Sequence, residues 1–413
     1  MVDTTRNIWN DQDDGEEQQR PKKRRGLRRF LTFFLVLVAV FVVVLVAAWR
    51  DGTGFDALQR YFSYGKSEAV SGETVYEYDV SPQNRFAMLG NRLVVTSDTG
   101  IRLLDQQGGE IWATTANLAD PALVQGGGRA AAYSVGGTEL YLVGQEGELL
   151  HLSTNEEEPF IAATLNENGW LAVTREKNNY KGWVGVYDAD LELVFEMDSA
   201  SRFVLDAYVT DDNQALATVT LGQEEGDFVS NVVLYPLSAT GTASGQETAG
   251  GQGIPVEPIA DYDIVDGLVV TLDQQGDQIV TVSDTCVTFA GMDGQVNAIV
   301  PFGDDFLRGY ALDGDGFMTL LLNQYQSGSV GRLVILGTDG AEVATLDVSQ
   351  EVLDISAAGR YLAVLYADSL VIYNQQLQVY ASLQGTDFAT GVLMREDGSA
   401  LLLSAENAGI FLP

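Results

Sequence analysis

From Thr74 to the C-terminus the chain runs as short apolar stretches rich in Val, Leu, Tyr and Thr, each cut off by Gly, Asp or Asn. No long stretch there keeps a helical apolar period with caps, so the grammar is strand and turn. The stretches also recur. Residues 92–97, a turn, 101–105, the tight turn Gln106-Gln107-Gly108-Gly109 and 110–112 form one unit. It returns at 130–152, at 170–197, at 332–346 and at 370–383. A further strand ending in a polar turn precedes most units, as at 161–169, 207–213 and 353–359. Four strands per unit of roughly forty residues is the spacing of a propeller blade. Asp, Asn and Gly suit the turns because they tolerate positive φ or bond their own backbone.

This pattern predicts an all-β fold, a β-propeller over 74–413. The blades are expected at about 84–118, 122–156, 160–200, 203–259, 262–303, 306–349 and 352–384. A last unit at 388–413 has three strands and takes its fourth from 74–80, which closes the ring and removes the open edges. The count is eight, with seven as the alternative. Leu237 to Pro255 is rich in Ser, Thr, Gly and Gln and reads as a mobile surface loop of the fourth blade. Residues 222–227 and 325–331 read as long hairpin tips.

Upstream the pattern changes. Residues 30–49, FLTFFLVLVAVFVVVLVAAW, hold one polar side chain, Thr32. As a helix they would reach about 30 Å, the thickness of a bilayer's hydrocarbon core. The basic run 20–29, RPKKRRGLRR, precedes them, and a single Arg50 beside Asp51 follows. The positive-inside rule therefore expects a transmembrane helix at 30–49, a disordered basic and polar cytoplasmic tail at 1–29, and 50–413 outside. The rival is a cleaved signal peptide with Val46-Ala47-Ala48 as its small-residue site, but such apolar cores span only about 7–15 residues. Residues 50–73 are expected to be stalk and linker. There Phe55, Leu58, Tyr61 and Phe62 share one side of a short amphipathic turn that would lie against the membrane or the domain.

Charge sharpens this picture. Of 23 Lys and Arg and 58 Asp and Glu, residues 1–30 hold 8 and 6, leaving 15 against 52 and a net charge of -37 for the remainder. Such a surface repels phosphate backbones, so nucleic acid is excluded as a partner of the large domain. Cys286 is the only cysteine, which rules out an intrachain disulfide, and its apolar surroundings predict a core position.

The stretch Leu103-Leu104-Asp105-Gln106-Gln107-Gly108-Gly109-Glu110-Ile111-Trp112 resembles the repeat of quinoprotein-like propellers, where strand, Asp, turn Gly and a following Trp recur. Outer-membrane assembly lipoproteins share that repeat without a quinone. Trp112 has no counterpart after Gly147 or Gly340, so the resemblance implies the fold and carries over no active site. The whole layout of basic tail, single span and acidic propeller is also similar to an uncharacterised family of bacterial single-pass membrane proteins, which implies no function.

Catalytic signals are sparse. His151 is the only histidine and sits at a strand position, where it reads as structural rather than as a triad base. Asp313-Gly314-Asp315-Gly316 lacks the remaining ligand spacing of a calcium loop and reads as a polar turn. Glu156-Glu157-Glu158 and Glu224-Glu225 read as solvated loop charges, and Gly126-Gly127-Gly128 as a turn rather than a phosphate cradle. No catalytic, cofactor-binding or metal-ligating residue is nominated, and no cofactor. The expected function is a non-enzymatic binding or scaffold module at the cell envelope, anchored in the membrane through 30–49, with a protein or envelope component as partner. The alternatives are a sensor working through a cytoplasmic partner, and an envelope enzyme, either a quinone-type oxidoreductase or a carboxylate-dependent hydrolase.

Overall fold

A computed structural model describes residues 33–40, 56, 60–62, 64, 70–224, 226–237 and 256–413. The described residues from 70 onward form eight four-stranded antiparallel sheets arranged as an eight-bladed propeller. Blades 1 to 7 are consecutive, spanning 85–115, 121–153, 160–199, 203–263, 269–301, 306–348 and 352–384. Blade 8 takes three strands from 391–412 and its outermost strand, Val70–Glu77, from the other end of the domain. That strand pairs from Val70 opposite Leu412 to Glu77 opposite Asn407, so it begins four residues before Thr74.

Burial follows from how each sheet is packed. The first strands of neighbouring blades touch one another and so surround the axis. Middle strands are covered on both faces by adjacent blades and read as continuous apolar runs, as in Phe317–Asn323, where every residue is buried. Outermost strands alternate between exposed and half-buried, as in Val296–Pro301. The core is accordingly a ring of inter-blade clusters. One joins Leu333 and Ile335 of blade 6 to Leu362 and Val364 of blade 7. Another joins Tyr76 of the closing strand and Leu401 of blade 8 to Leu93 of blade 1. Blade 1's Gly108, at φ +82°, lies so close to the closing strand that a Cβ there would stand 2.2 Å from the Val75 carbonyl oxygen.

Two segments differ from the sequence reading. The strand Ala260–Asp263 completes blade 4, whereas the periodicity started blade 5 at 262; blade 5 begins at Val269. This strand is four residues long and half acidic, so it carries little strand signal. The tip expected at 222–227 is narrower, because Ala215–Glu224 and Asp227–Pro236 pair all the way to Glu224 opposite Asp227.

Among the described residues no helix is long and apolar enough to cross a membrane. Of the expected span, residues 33–40 are helical with exposed side chains. The rest of 30–49, the tail 1–29 and the expected loop beyond Leu237 lie outside the described residues.

Every blade has two ends. Connections between first and second strands and between third and fourth strands lie on one face of the ring, here the turn face. Hairpins between second and third strands and the links from blade to blade lie on the opposite, linker face.

Candidate functional site: axial carboxylates and a docked upstream segment

The residues singled out by sequence occupy structural positions. His151 lies in the outer strand of blade 2, bonded through Nε2 to Glu139 and stacked on Tyr141 at 4.2 Å between ring centroids. Register places Tyr141 directly opposite His151, so the half-exposed imidazole caps a buried Tyr141 of the neighbouring strand. Cys286 is buried, with its Sγ 3.6 Å from the Asp266 carbonyl oxygen. Gly127 and Gly128 adopt φ of 56° and 71° in the turn between the first two strands of blade 2.

Asp313 and Asp315 do not converge. Asp313 is the penultimate residue of the first strand of blade 6, while the Asp315 N–H donates across to the Gly359 carbonyl of blade 7 at 2.7 Å. Among the described residues no group of three or more His, Cys, Asp or Glu is placed to hold a metal ion. The Glu156–158 run is more engaged than a solvated loop. Glu158 is bonded to Arg175 and accepts the Asn178 N–H, and Glu157 accepts from the Asn178 side-chain amide at 2.9 Å. These contacts fasten the blade 2–3 link to the blade 3 hairpin.

The unusual chemistry lies on the first strands, which carry Asp206, Asp273, Asp313 and Asp354 in blades 4 to 7. A β-bulge sits just before both Asp206 and Asp354, at matching positions near the linker-face end. An extra residue at a bulge re-aims the following side chain. Burial pushes the Asp206 carboxyl up to about 7, with the Ala207 N–H as a partial offset. The carboxyl is within electrostatic reach of Tyr133 of blade 2 and Tyr310 of blade 6, so it influences groups well beyond its own blade. Asp354 is also raised by burial; it accepts the Ile355 N–H and, at 2.9 Å, the Val392 N–H of blade 8. Nearby, Ser356 Oγ accepts the Met394 N–H.

Nearer the turn face, burial pushes Asp273 up to about 7, and the carboxylates of Asp313 and Asp211 add to the rise. Asp313 is raised by burial. The Gln275 amide donates to Asp273 Oδ2 and to the Leu312 carbonyl of blade 6. Tyr208 donates its hydroxyl proton to Asp211 at 3.0 Å, and burial raises its own ionisation further out of reach. The first strand of a blade has a free edge, and its amides need partners. Carboxyl, hydroxyl and amide side chains from the neighbouring blade supply several of them. Among these acids Asp354 ties blade 7 to blade 8, while Asp206 and Asp273 are the two that burial lifts to about 7. The sequence holds one signal for them: Val-Leu-Asp recurs at 204–206 and 352–354.

A second site lies within 50–73, the segment the sequence reads as stalk and linker. Asp56 and Arg60 are buried on the turn face between blades 7 and 8, with 3% and 5% of their surface exposed. Arg60 donates to the Asp397 carbonyl at 2.8 Å, the Pro413 carbonyl at 3.0 Å and the Tyr380 hydroxyl at 3.2 Å. Asp56 accepts from the Tyr361 hydroxyl, with Arg360 4.0 Å away. Tyr64 lies under the Arg395 guanidinium, 5.5 Å from ring centroid to Cζ. Positions 56, 60 and 64 recur every four residues, one side of a helix. Of the four residues expected to lie against the membrane or the domain, Tyr61 and Phe62 are exposed and contact each other edge to face, while Phe55 and Leu58 lie outside the described residues.

No curated protein matches the chain. Among solved structures, the C-terminal WD40 domain of Sif2 superposes with a TM-score of 0.52 at 13% identity, covering 83% of this chain and 100% of that one. Sqt1 of Chaetomium thermophilum, bound to the N-terminus of the ribosomal protein L10, gives 0.54 at 12% identity with the same coverages. At such identity these likenesses establish the propeller fold alone. The profile of a family of unknown function, DUF5711, matches residues 64–379, and this chain belongs to that family.

Proposed function

We propose that this protein is a membrane-anchored binding module, with its propeller held outside the cell membrane and its N-terminus in the cytoplasm. The observation that carries the reading is the order of segments: a basic run, twenty apolar residues at 30–49, and a propeller whose closing strand follows within the next thirty residues. The docked segment adds geometry. Trp49 and Asp56 are seven residue steps apart (56 − 49 = 7), a reach of at most about 25 Å. The turn face, where Asp56 and Arg60 are seated, then stands toward the bilayer and the linker face away from it. Binding rather than chemistry is supported by the nature of the fold, since Sqt1, of the same form, holds a protein N-terminus. The buried polar seat also favours a second reading, a sensor, because a rigid joint beside the span could pass a change in the ring to the tail.

The topology is tested by thiol labelling, which the buried Cys286 leaves free of background. Ser327→Cys in the exposed blade 6 hairpin should react with a membrane-impermeant maleimide on intact cells. Gln18→Cys in the tail should react only after permeabilisation. The reverse pattern would remove the proposal.

A further inference from the structure

Both faces of the ring carry exposed apolar side chains: toward the turn face Ile259, Leu193, Val343 and Val379, the last three at the starts of outer strands, beside Tyr61 and Phe62 of the docked segment. The linker face of blades 4 to 8 displays many, including Phe228, Val265, Leu268, Phe306, Tyr325 and Phe388, with Val265 74% and Tyr325 60% exposed. They recur from blade to blade as an arc. Single exposed apolar residues are ordinary, but a succession of them on one face marks an interaction surface.

Acids are interleaved with this arc. The linker-face connections 264–268, 284–285, 302–305, 324–330, 349–351, 367–368 and 385–390 contain acids at 266, 284, 304, 305, 351, 368 and 387 and no Lys or Arg. On the turn face some carboxylates are turned inward on their own loops, while Glu146, Asp277 and Glu396 are exposed. Asp105 accepts two backbone N–H groups, Asp188 two, and Asp293 and Asp339 one each. On the linker face Asp266, Asp304, Glu351 and Asp387 are exposed and, among the described residues, their carboxylates make no hydrogen bond or ion pair. Two cations stand close behind the arc, Arg332 and Arg308, and Arg332 is held by Asp305 at 2.9 Å.

We propose that this acidic, apolar arc on the linker face of blades 5 to 7 docks a protein segment in which Lys or Arg side chains are interspersed with large apolar ones. The apolar residues supply contact area, and the unpaired carboxylates select against acidic partners and draw basic ones in. The inference rests on the binding-module reading and gives it a face and a partner chemistry. Its test is independent of topology, which the thiol labelling decides separately.

The probe is a fluorescein-labelled peptide alternating leucine and lysine, titrated against the full chain in phosphatidylcholine nanodiscs. A leucine–glutamate peptide and oligolysine run beside it. Leu268→Ser/Tyr325→Ser/Phe388→Ser and Asp266→Asn/Asp304→Asn/Asp387→Asn alter only exposed side chains. Each should weaken the leucine–lysine peptide by at least about tenfold, the charge variant more at low salt than at high. Glu146→Gln/Gln376→Ser, on the turn face, should bind as the parent does. Binding that both linker-face variants leave intact would overturn the proposal. So would equal binding of oligolysine, which needs only net charge, or no binding of any peptide.

Discussion

A carboxyl group held at an elevated pKa leaves a mark on stability that a surface acid does not. Asp206 moves from an ordinary value of 3.8 to about 7 on folding, because burial disfavours its charged form. Below pH 4 both states hold the proton. Between about 4 and 7 the unfolded chain has released it and the folded chain has not, so stability falls as pH rises across that window and is level above it. A rise of about three units corresponds to at most about 4 kcal/mol. Self-repulsion among the other acids acts in the same direction, so the contrast must come from a variant. Asp206→Asn keeps the acceptor for the Ala207 N–H and cannot ionise. It should flatten the decline in melting temperature between pH 5 and pH 8 and match or exceed the parent at pH 8; parallel curves for the two proteins would dismiss Asp206 as the source. Neither the burial nor the bulge that creates this group could be read from composition. A search for the same residues at the same place in different blades would have found Val-Leu-Asp in blades 4 and 7.

At the scale of elements, periodicity was a good guide wherever turns are short and strands are packed on both faces. All seven consecutive blades stand where the recurring strand and turn placed them, apart from the border of blades 4 and 5. That border follows an insertion, and the strand beyond it, Ala260–Asp263, has Asp at two of its four positions. The upstream segment was less legible, for a physical reason. Apolar spacing marks the side of Phe55, Leu58, Tyr61 and Phe62, of which the first two lie outside the described residues and the last two are exposed. It carries no signal for Asp56, Arg60 and Tyr64, whose neighbours are carbonyl groups and hydroxyls of blades 7 and 8. Arg60 should therefore matter far more than the aromatic beside it. Arg60→Ala leaves the buried carbonyl of Asp397 and the part-buried carbonyl of Pro413 without that donor, at a cost of about 1–3 kcal/mol. Phe62→Ala, at a side chain 78% exposed, should stay within about 0.5 kcal/mol. Urea unfolding of both variants, with proteolysis at Arg50 and Lys66 as a local readout, separates these expectations; equal effects would remove the seat as a structural element.

For the whole molecule, the ring has one junction unlike the rest. Every other blade is continuous in sequence, whereas blade 8 is held by pairing between Val70–Glu77 and Asn407–Leu412, at opposite ends of the domain. That contact closes the longest loop in the fold, and loop-closure entropy is lost before any of its hydrogen bonds is gained. Opening it would also expose the apolar edge Asn407–Leu412, NAGIFL, and uncover Leu401 and Leu93 on either side of the junction. The seat of Arg60 lies beside this same junction and bonds the Pro413 carbonyl, so the upstream segment and the closing strand secure one another. A covalent tie across the junction should therefore stabilise more than the same tie within a blade. Glu77→Cys/Asn407→Cys joins directly paired residues 330 positions apart (407 − 77 = 330). Chain entropy sets its gain at up to about 5–6 kcal/mol, against about 2 kcal/mol for Gln274→Cys/Ile279→Cys, which spans the tip of the first hairpin in blade 5. The oxidised ring-closing variant should shift the urea midpoint upward by clearly more than the hairpin variant does, and reduction should erase both gains. Equal shifts would mean that the ring does not open first at blade 8, and that its cooperativity is set by the inter-blade clusters instead.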